Sequence, residues 1–393
     1  MIKISSVESL HCDAGWRNFS FLKITTNDGI VGYSEYNQSY GSKGLSTVIG
    51  QLAPLIIGSN PLDNDVIFAT LYATTRQAPG GINAQAIAAI ENAVMDIKGK
   101  ALGVPVYQLL GGAMQDRLRL YWSHCGTYRM HESTADYLGK KPLASLDDIR
   151  ALGEEVKTRG FTGLKCNMFV FGGGLDGNAN YTHGWRRSFP GRNAEKPLIR
   201  SVYQQIEAFN EGTGGDVDIL LDLNFNFTTE SYIRMIRALT PLDLFWCELD
   251  VYNPEALATI RNRTDTPIAS CESLYGIRDF RPYFQMQAMD VAIIDVPWNG
   301  IWQSYKIATI ADAHDVNVAP HNFYGHLSTM MSAHFCAAVP NFRIMEIDID
   351  DVPWKDDLVT HPPEIVDGHL IVPDRPGWGC DINEDAVRAH PPR

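Results

Sequence analysis

Three acidic residues pose the chemical question of this chain. Asp222, Glu248 and Glu272 close the short apolar runs "DILLDLN", "LFWCELD" and "PIASCES", and they lie 26 and 24 residues apart. A buried carboxylate is costly unless it is paired or binds a metal. Three that converge cannot all stay ionised without a cation among them. Carboxylate ligands with an octahedral preference point to Mg²⁺, with Mn²⁺ as the alternative. For one such residue alone the plainer reading is a surface loop or a salt bridge. Three at consecutive run ends favour a metal.

Alternation along a strand puts Asp222 and Asn224 on one face and Leu223 on the other. The same parity places Cys166, Cys247 and Cys271 away from the acids, as small core residues rather than nucleophiles. Seven cysteines, widely spaced and without a C-x-x-C, argue against a zinc–thiolate site or a disulfide framework and for a reducing, cytoplasmic setting.

Other polar residues end similar runs. They are His124 in "LRLYWSH", Lys165 and Asn167 in "FTGLKCN", Asp295 in "MDVAIIDV", His321 in "NVAPHN", and Glu346 with Asp348 in "FRIMEIDID". Eight such runs, most separated by about 15–30 residues of helical periodicity such as "SLDDIRALGEEVKTR", imply βα repeats and a parallel sheet. The count of eight favours a closed (β/α)8-type barrel over residues 116–365, with its site at the carboxyl ends of the strands. The stretch "GGGLDGNANYTHGWRRSFPGR" breaks the pattern and reads as an inserted basic loop; it carries Trp185, Arg186 and Arg187.

Residues 1–115 read differently. "IKISSVESLHC" and "FSFLKITTNDGIVGYSEY" alternate, with a hairpin turn at Asn27-Asp28-Gly29. Ile87, Ile90, Val94 and Ile97 then recur at helical spacing until Gly103. Strands followed by helices give an α+β unit.

Hydrophobic residues make up 45% and charged residues 20% of the 393, an ordinary globular balance in a chain too long for one ordinary core. A formal net charge of −13 argues against nucleic acid or an anionic membrane as partner. No 18 apolar residues run together.

The acid triad on runs three to five, "DLN", Lys-x-Asn on run two, the Asp295/His321 pair and "AIENAVMDIKGKALGVPVYQLLGG" together resemble the enolase superfamily, specifically its mandelate racemase subgroup. The resemblance covers the whole chain. It implies a modified TIM barrel with an N-terminal α+β capping domain, to which the tail from about residue 366 to 393 returns, and a homo-oligomer. It further implies Mg²⁺ held by Asp222, Glu248 and Glu272, and a base that removes the proton α to a substrate carboxylate. His321 is that base, with Asp295 fixing its tautomer. Lys165 helps to hold the substrate carboxylate, and Glu346 donates a hydrogen bond to it, with Asp348 as competitor. Asn167 stands where a second lysine would make a two-base racemase, and some sugar-acid dehydratases of the subgroup carry asparagine there. Asn224 matches mandelate racemase itself. His321 is then the imidazole at the metal, serving as base and afterwards as acid. The early loops supply Trp16, Arg17, Asn18, Tyr40 and Lys43 above the mouth, and Trp298 either walls the pocket or packs at its rim. His124 and His326 are lesser candidates for contact; His314 and His334, in helical text, read as structural.

The resulting expectation is a Mg²⁺-dependent dehydratase that converts an aldonate or aldarate to a 2-keto-3-deoxy acid. The alternatives are a racemase or epimerase of a 2-hydroxy acid, a Schiff-base lyase using Lys165, and a non-catalytic binder of sugar acids.

Overall fold

Alternation in the first 36 residues becomes a three-stranded antiparallel sheet. Strand β1 (Ile4–Asp13) pairs with β2 (Asn18–Thr26), and β2 with β3 (Val31–Tyr36). The computed structural model describes residues 2–40, 42–171, 180–182 and 193–393. Helices α1 (Leu45–Leu52), α2 (Asn64–Thr75) and α3 (Gly81–Leu102) cover one face of the sheet. Ile87, Ile90, Val94 and Ile97 share a buried core there with Leu22 and Ile24 of β2. Gly103 ends α3 at φ +69°, donating its N–H to the carbonyls of Gly99 and Lys100, a left-handed cap that glycine takes without a Cβ penalty.

All eight apolar runs form parallel strands. In order they are Arg117–Ser123, Gly163–Cys166, Asp218–Asp222, Trp246–Glu248, Ile268–Ser270, Val291–Ile294, Asn317–Pro320 and Met345–Asp348. Consecutive strands pair from the first to the seventh, and the eighth pairs with the first. A parallel bridge between Val318 and Phe342 joins the seventh strand to the eighth segment and closes the barrel.

Side chains divide by parity. Tyr121, Leu220, Trp246, Ala269, Val291, Ile293, Ala319 and Ile344 fill the interior. Cys166, Leu223 and Cys247 lie in the outer layer, packed with the helices, as their spacing predicts, and Cys271 joins them there. All seven cysteines are buried thiols without a disulfide.

The cap grips the barrel through acids aimed at helix N-termini, where unpaired N–H groups and the helix dipole favour negative charge. Glu35 on β3 accepts from Gly325 N at 2.6 Å and Ser328 N at 2.9 Å, at the start of helix His326–Ala338. Glu91 on α3 accepts from Trp302 N at 3.0 Å, at the start of helix Ile301–Asp312. Gly300 must be glycine for this approach: a Cβ there would stand 2.2 Å from Glu91 Oε1. The tail joins both units. His369–Ile371 pairs with the first barrel strand, while Trp378 Nε1 donates to the Tyr33 carbonyl of β3 at 2.8 Å. Among the described residues no helix is long and apolar enough to cross a membrane.

Candidate active site

Side chains at and just beyond the carboxyl ends of the barrel strands meet at one rim. Asp222 and Glu248 are register partners on adjacent strands, and Glu248 is in turn the partner of Ala269. A cavity of about 310 Å³ opens there, lined by Tyr40, His124, Tyr128, Lys165, Asn167, Asp222, Asn224, Glu272, Trp298, His321 and Phe323.

Glu272, Asn224 and His124 arrive by routes that alternation does not describe. Ala269 faces the interior, so strict alternation would turn Glu272 outward; Cys271 takes φ +91° and reverses the chain, and Glu272 enters the cavity. The third strand stops at Asp222. Asn224 lies in a turn at φ +48°, its backbone N and Nδ2 each donating to Asp222 Oδ1 at 2.8 Å. Its place beside Asp222 comes from that turn, not from strand parity.

His321 is oriented on one side. Its Nδ1 donates to Asp295 Oδ2 at 2.7 Å, and the carboxylate can only accept, so the proton sits on Nδ1. The same oxygen accepts from Tyr324 OH at 2.5 Å, and Asp295 Oδ1 accepts from Trp298 N at 2.7 Å. Nε2 faces Glu272 Oε2 at 3.3 Å. Burial works to lower the imidazole, yet Glu272 and Asp295 push it up to about 10.

Lys165 sits deeper. Its ammonium lies 3.0 Å from Glu248 Oε1 and 2.9 Å from Glu346 Oε1. Burial raises Glu248 to about 8, with Lys165 opposing and the neighbouring acids adding to the rise. Asp250 is a further buried acid in the group, raised by burial and then by Glu272, Glu248 and Asp222. The carboxylate oxygens of Asp222, Glu248, Glu272 and Asp250, beside Lys165 and His321, fit a hard divalent ion. The cage is not closed, however. Among the described residues no three acidic, histidine or cysteine side chains stand close enough to hold one metal ion. Glu248 is engaged by Lys165 and Glu272 by His321.

Several expected contacts are redistributed. Arg17 does not line the cavity: its guanidinium is buried against the Phe323 carbonyl, Asp351 at 2.7 Å and Asp348 at 3.5 Å, so its charge is spent within the protein. Glu346 accepts from Ser123 Oγ, from Asn322 N at 2.5 Å and from Lys165. Burial would raise it, but Lys165, His321 and His124 hold it down at about 2. Its oxygens face three donors in the structure, whereas the resemblance implies that it donates to substrate. Trp16 packs on Tyr128 with ring centroids 4.6 Å apart, while Tyr40 reaches the cavity wall. Asn167 lines the cavity and accepts from Thr127 Oγ1 at 2.7 Å. Trp298 is a wall, its ring edge-on to His321 at 5.4 Å. His326 bonds Asp356 at 2.6 Å outside the cavity, and His334 is buried and accepts from Tyr107 N. Trp185, Arg186 and Arg187 lie outside the described residues.

Tyr128, Phe323 and Tyr324 escaped the sequence reading. Aromatic residues carry no spacing signal of their own, although "HNFYG" places two of them directly after His321. Asp250 was visible two residues after Glu248 at the same run end.

Fold and cavity together define a capped (β/α)8-type barrel whose acids, imidazoles and lysine meet at the carboxyl ends of the strands, an arrangement suited to moving protons beside a bound anion. The chain belongs to the enolase superfamily: residues 148–386 match the enolase C-terminal domain-like family, and residues 11–111 match the N-terminal domain of the mandelate racemase/muconate lactonizing enzymes. It is 30% identical to a D-xylonate dehydratase from Haloferax volcanii, over 99% of this chain and 89% of that one. It is 29% identical to a D-mannonate dehydratase from Caulobacter vibrioides, over 100% and 95%. A solved structure from Burkholderia xenovorans strain LB400, provisionally named an L-alanine-DL-glutamate epimerase and bound to magnesium and fumarate, superposes with a TM-score of 0.95. That protein is 49% identical, covering 100% of this chain and 96% of its own.

Proposed function

We propose that this protein is a hydro-lyase of acid sugars that works with Mg²⁺ and converts an aldonate or aldarate to a 2-keto-3-deoxy acid. The observation that carries the reading is the Asp295-oriented imidazole of His321, which opens onto the same cavity as Asp222 and Glu272. The dehydratase names of two relatives support it.

In this reading Asp222, Glu248 and Glu272 hold the ion, Mn²⁺ being the alternative. Bound there, it supplies positive charge beside the substrate carboxylate as the α-carbon loses its proton. With Glu272 committed to the ion, the negative charge that raises His321 is offset; Nε2 then takes that proton, and Asp295 keeps the accepting nitrogen aimed inward. The electron pair left at C2 forms the C2–C3 double bond as the C3–O bond breaks, and the enol becomes the keto acid. Lys165, Asn167 and Asn224 orient the polar end of the substrate. Tyr40 and Trp298 wall it, and Glu346 positions Lys165. The cap spans residues 1–115 and the barrel 116–365, with the tail returning to the cap.

The Burkholderia protein's name favours a second reading, an epimerase. That reaction needs a second base, and Lys165 is the residue it would use. An ammonium bound by Glu248 and Glu346 has no lone pair to offer, as a base or as a Schiff-base nucleophile. The test is a library of acid sugars incubated with enzyme and Mg²⁺, with keto acid read as its semicarbazone. Keto acid is the expected product. Deuterium uptake from solvent with inversion at C2, and no keto acid, establishes the epimerase instead.

A further inference from the structure

The cavity holds two imidazoles, and each is oriented by its own carboxylate. His321 is paired with Asp295; His124, at the end of the first barrel strand, is paired with Asp348 across a 3.0 Å contact to Nδ1. We propose that His124 is the acid of the reaction, delivering a proton to the hydroxyl that leaves C3. The proposal rests on the dehydratase reading and divides between two residues the roles that a single His321 would otherwise combine.

The local structure is built around this ring. His124 takes φ +46°, a left-handed conformation that a non-glycine residue keeps only where its surroundings impose it. Asp348 Oδ1 can only accept, so Nδ1 carries a hydrogen and Nε2 is the nitrogen left for exchange. Asp348 is itself fixed, by Tyr128 OH at 2.8 Å and by Arg17 at 3.5 Å. The imidazole stacks on Tyr128 with centroids 5.0 Å apart and meets the edge of Phe323 at 5.9 Å. Phe323 also packs on His321 at 5.0 Å, so one aromatic ring spaces the two imidazoles along the same cavity wall. The eighth strand, which supplies Asp348, lies beside the first.

Elimination creates the need for a second group. Hydroxide is a poor leaving group, and a positioned acid accelerates its departure by about 10²–10⁴-fold. A base receives a proton at Nε2 and an acid gives one up there, so two imidazoles on separate carboxylates perform both tasks without waiting for one proton to be passed back. The atoms balance. The C2 proton goes to His321 Nε2, and the C2–H electron pair becomes the C2–C3 π bond. The C3–O pair leaves with oxygen, which takes the Nε2 proton of the His124 imidazolium and departs as water. His124 ends neutral, with Nδ1–H still on Asp348, and solvent restores both rings.

The test compares an accepted acid sugar with its 3-deoxy-3-fluoro counterpart, whose fluoride leaves with far less need of a proton. Asparagine tolerates the left-handed backbone, so His124→Asn is the first variant and Asp348→Asn the second. On the hydroxy substrate His124→Asn is expected to form keto acid at least about 100-fold more slowly. On the fluoro substrate it should release fluoride within about tenfold of the wild-type rate, and it should still exchange the C2 proton with deuterium. Asp348→Asn is expected to show the same split in weaker form. Hydroxy-substrate turnover within tenfold of wild type overturns the assignment, and so does an equal loss on both substrates in both variants, which marks a binding or structural role. A wild-type enzyme that exchanges C2–H but makes no keto acid overturns the dehydratase reading, and this assignment falls with it.

Discussion

Glu35 and Gly325 join the cap to the barrel four residues beyond His321: the carboxylate accepts the Gly325 N–H at 2.6 Å and, through its other oxygen, the Ser328 N–H. The sheet of the cap thus holds the segment that carries the imidazole. Glu91 makes the equivalent contact one strand earlier, with Oε1 accepting from both Trp302 N and Gln303 N. Both acids are raised to about 7, because burial outweighs the helix-terminus bonds that favour the anion.

These shifts make stability depend on pH. From about 4.5, the ordinary glutamate value, up to about 7, the folded chain holds protons that the unfolded chain has released. The contribution of both acids to stability therefore falls as pH rises through that window and is flat above it. Glu91→Gln keeps an oxygen for both N–H groups and removes the charge. Its melting temperature should match wild type near pH 5 and exceed it at pH 8, by the equivalent of about 1–3 kcal/mol. Thermal melts at the two pH values check this; a difference that does not grow with pH would sink it.

His321→Asn keeps a polar side chain in a cavity built for imidazole but removes the proton acceptor. Turnover should drop by about 10²–10⁴-fold, while Mg²⁺ affinity, measured by calorimetry, stays near the wild-type value. Activity above a tenth of wild type would assign the base elsewhere.

How far the sequence reaches can be judged from particular residues. All eight strands were legible because each is a short apolar run bounded by helical text, and parity correctly sent Cys166 and Cys247 outward. Parity failed where the backbone leaves the extended region. Cys271 and Asn224 both take positive φ, which residue type alone does not announce. Arg17 looked like a loop cation facing substrate. Its partners Asp348 and Asp351 lie more than 330 residues away in sequence, and only the closed fold brings them under it. The buried acids of "AIENAVMD", in an otherwise apolar helix, were a visible signal of partners elsewhere; which N–H groups they would meet was not.

Tyr324 acts on His321 through Asp295, sharing one carboxylate oxygen with the imidazole. Removing its hydroxyl leaves that oxygen with a single donor, and a hydrogen bond to a charged group is worth about 1.5–3 kcal/mol. Tyr324→Phe should lower kcat by about 10–100-fold with little change in KM, because the ring still fills its site. Steady-state kinetics separate this from a packing defect, which would instead lower the melting temperature and leave kcat of the surviving enzyme unchanged.

Glu248 has two partners to choose between. It is bound to Lys165 at 3.0 Å as the structure stands, and in the proposed reaction it ligates the ion. Glu248→Gln removes the anion that both share. Mg²⁺ affinity and activity should then fall together, and added metal should restore activity only at concentrations well above those that saturate wild type. Chelation with EDTA should abolish wild-type turnover, and Mg²⁺ should return it. If Glu248→Gln binds Mg²⁺ as tightly as wild type, the carboxylate belongs to Lys165 alone. The ion would then be held by Asp222 and Glu272 with Asp250, the other buried acid raised by the charges of all three, and Asp250→Asn would be the variant that loses it.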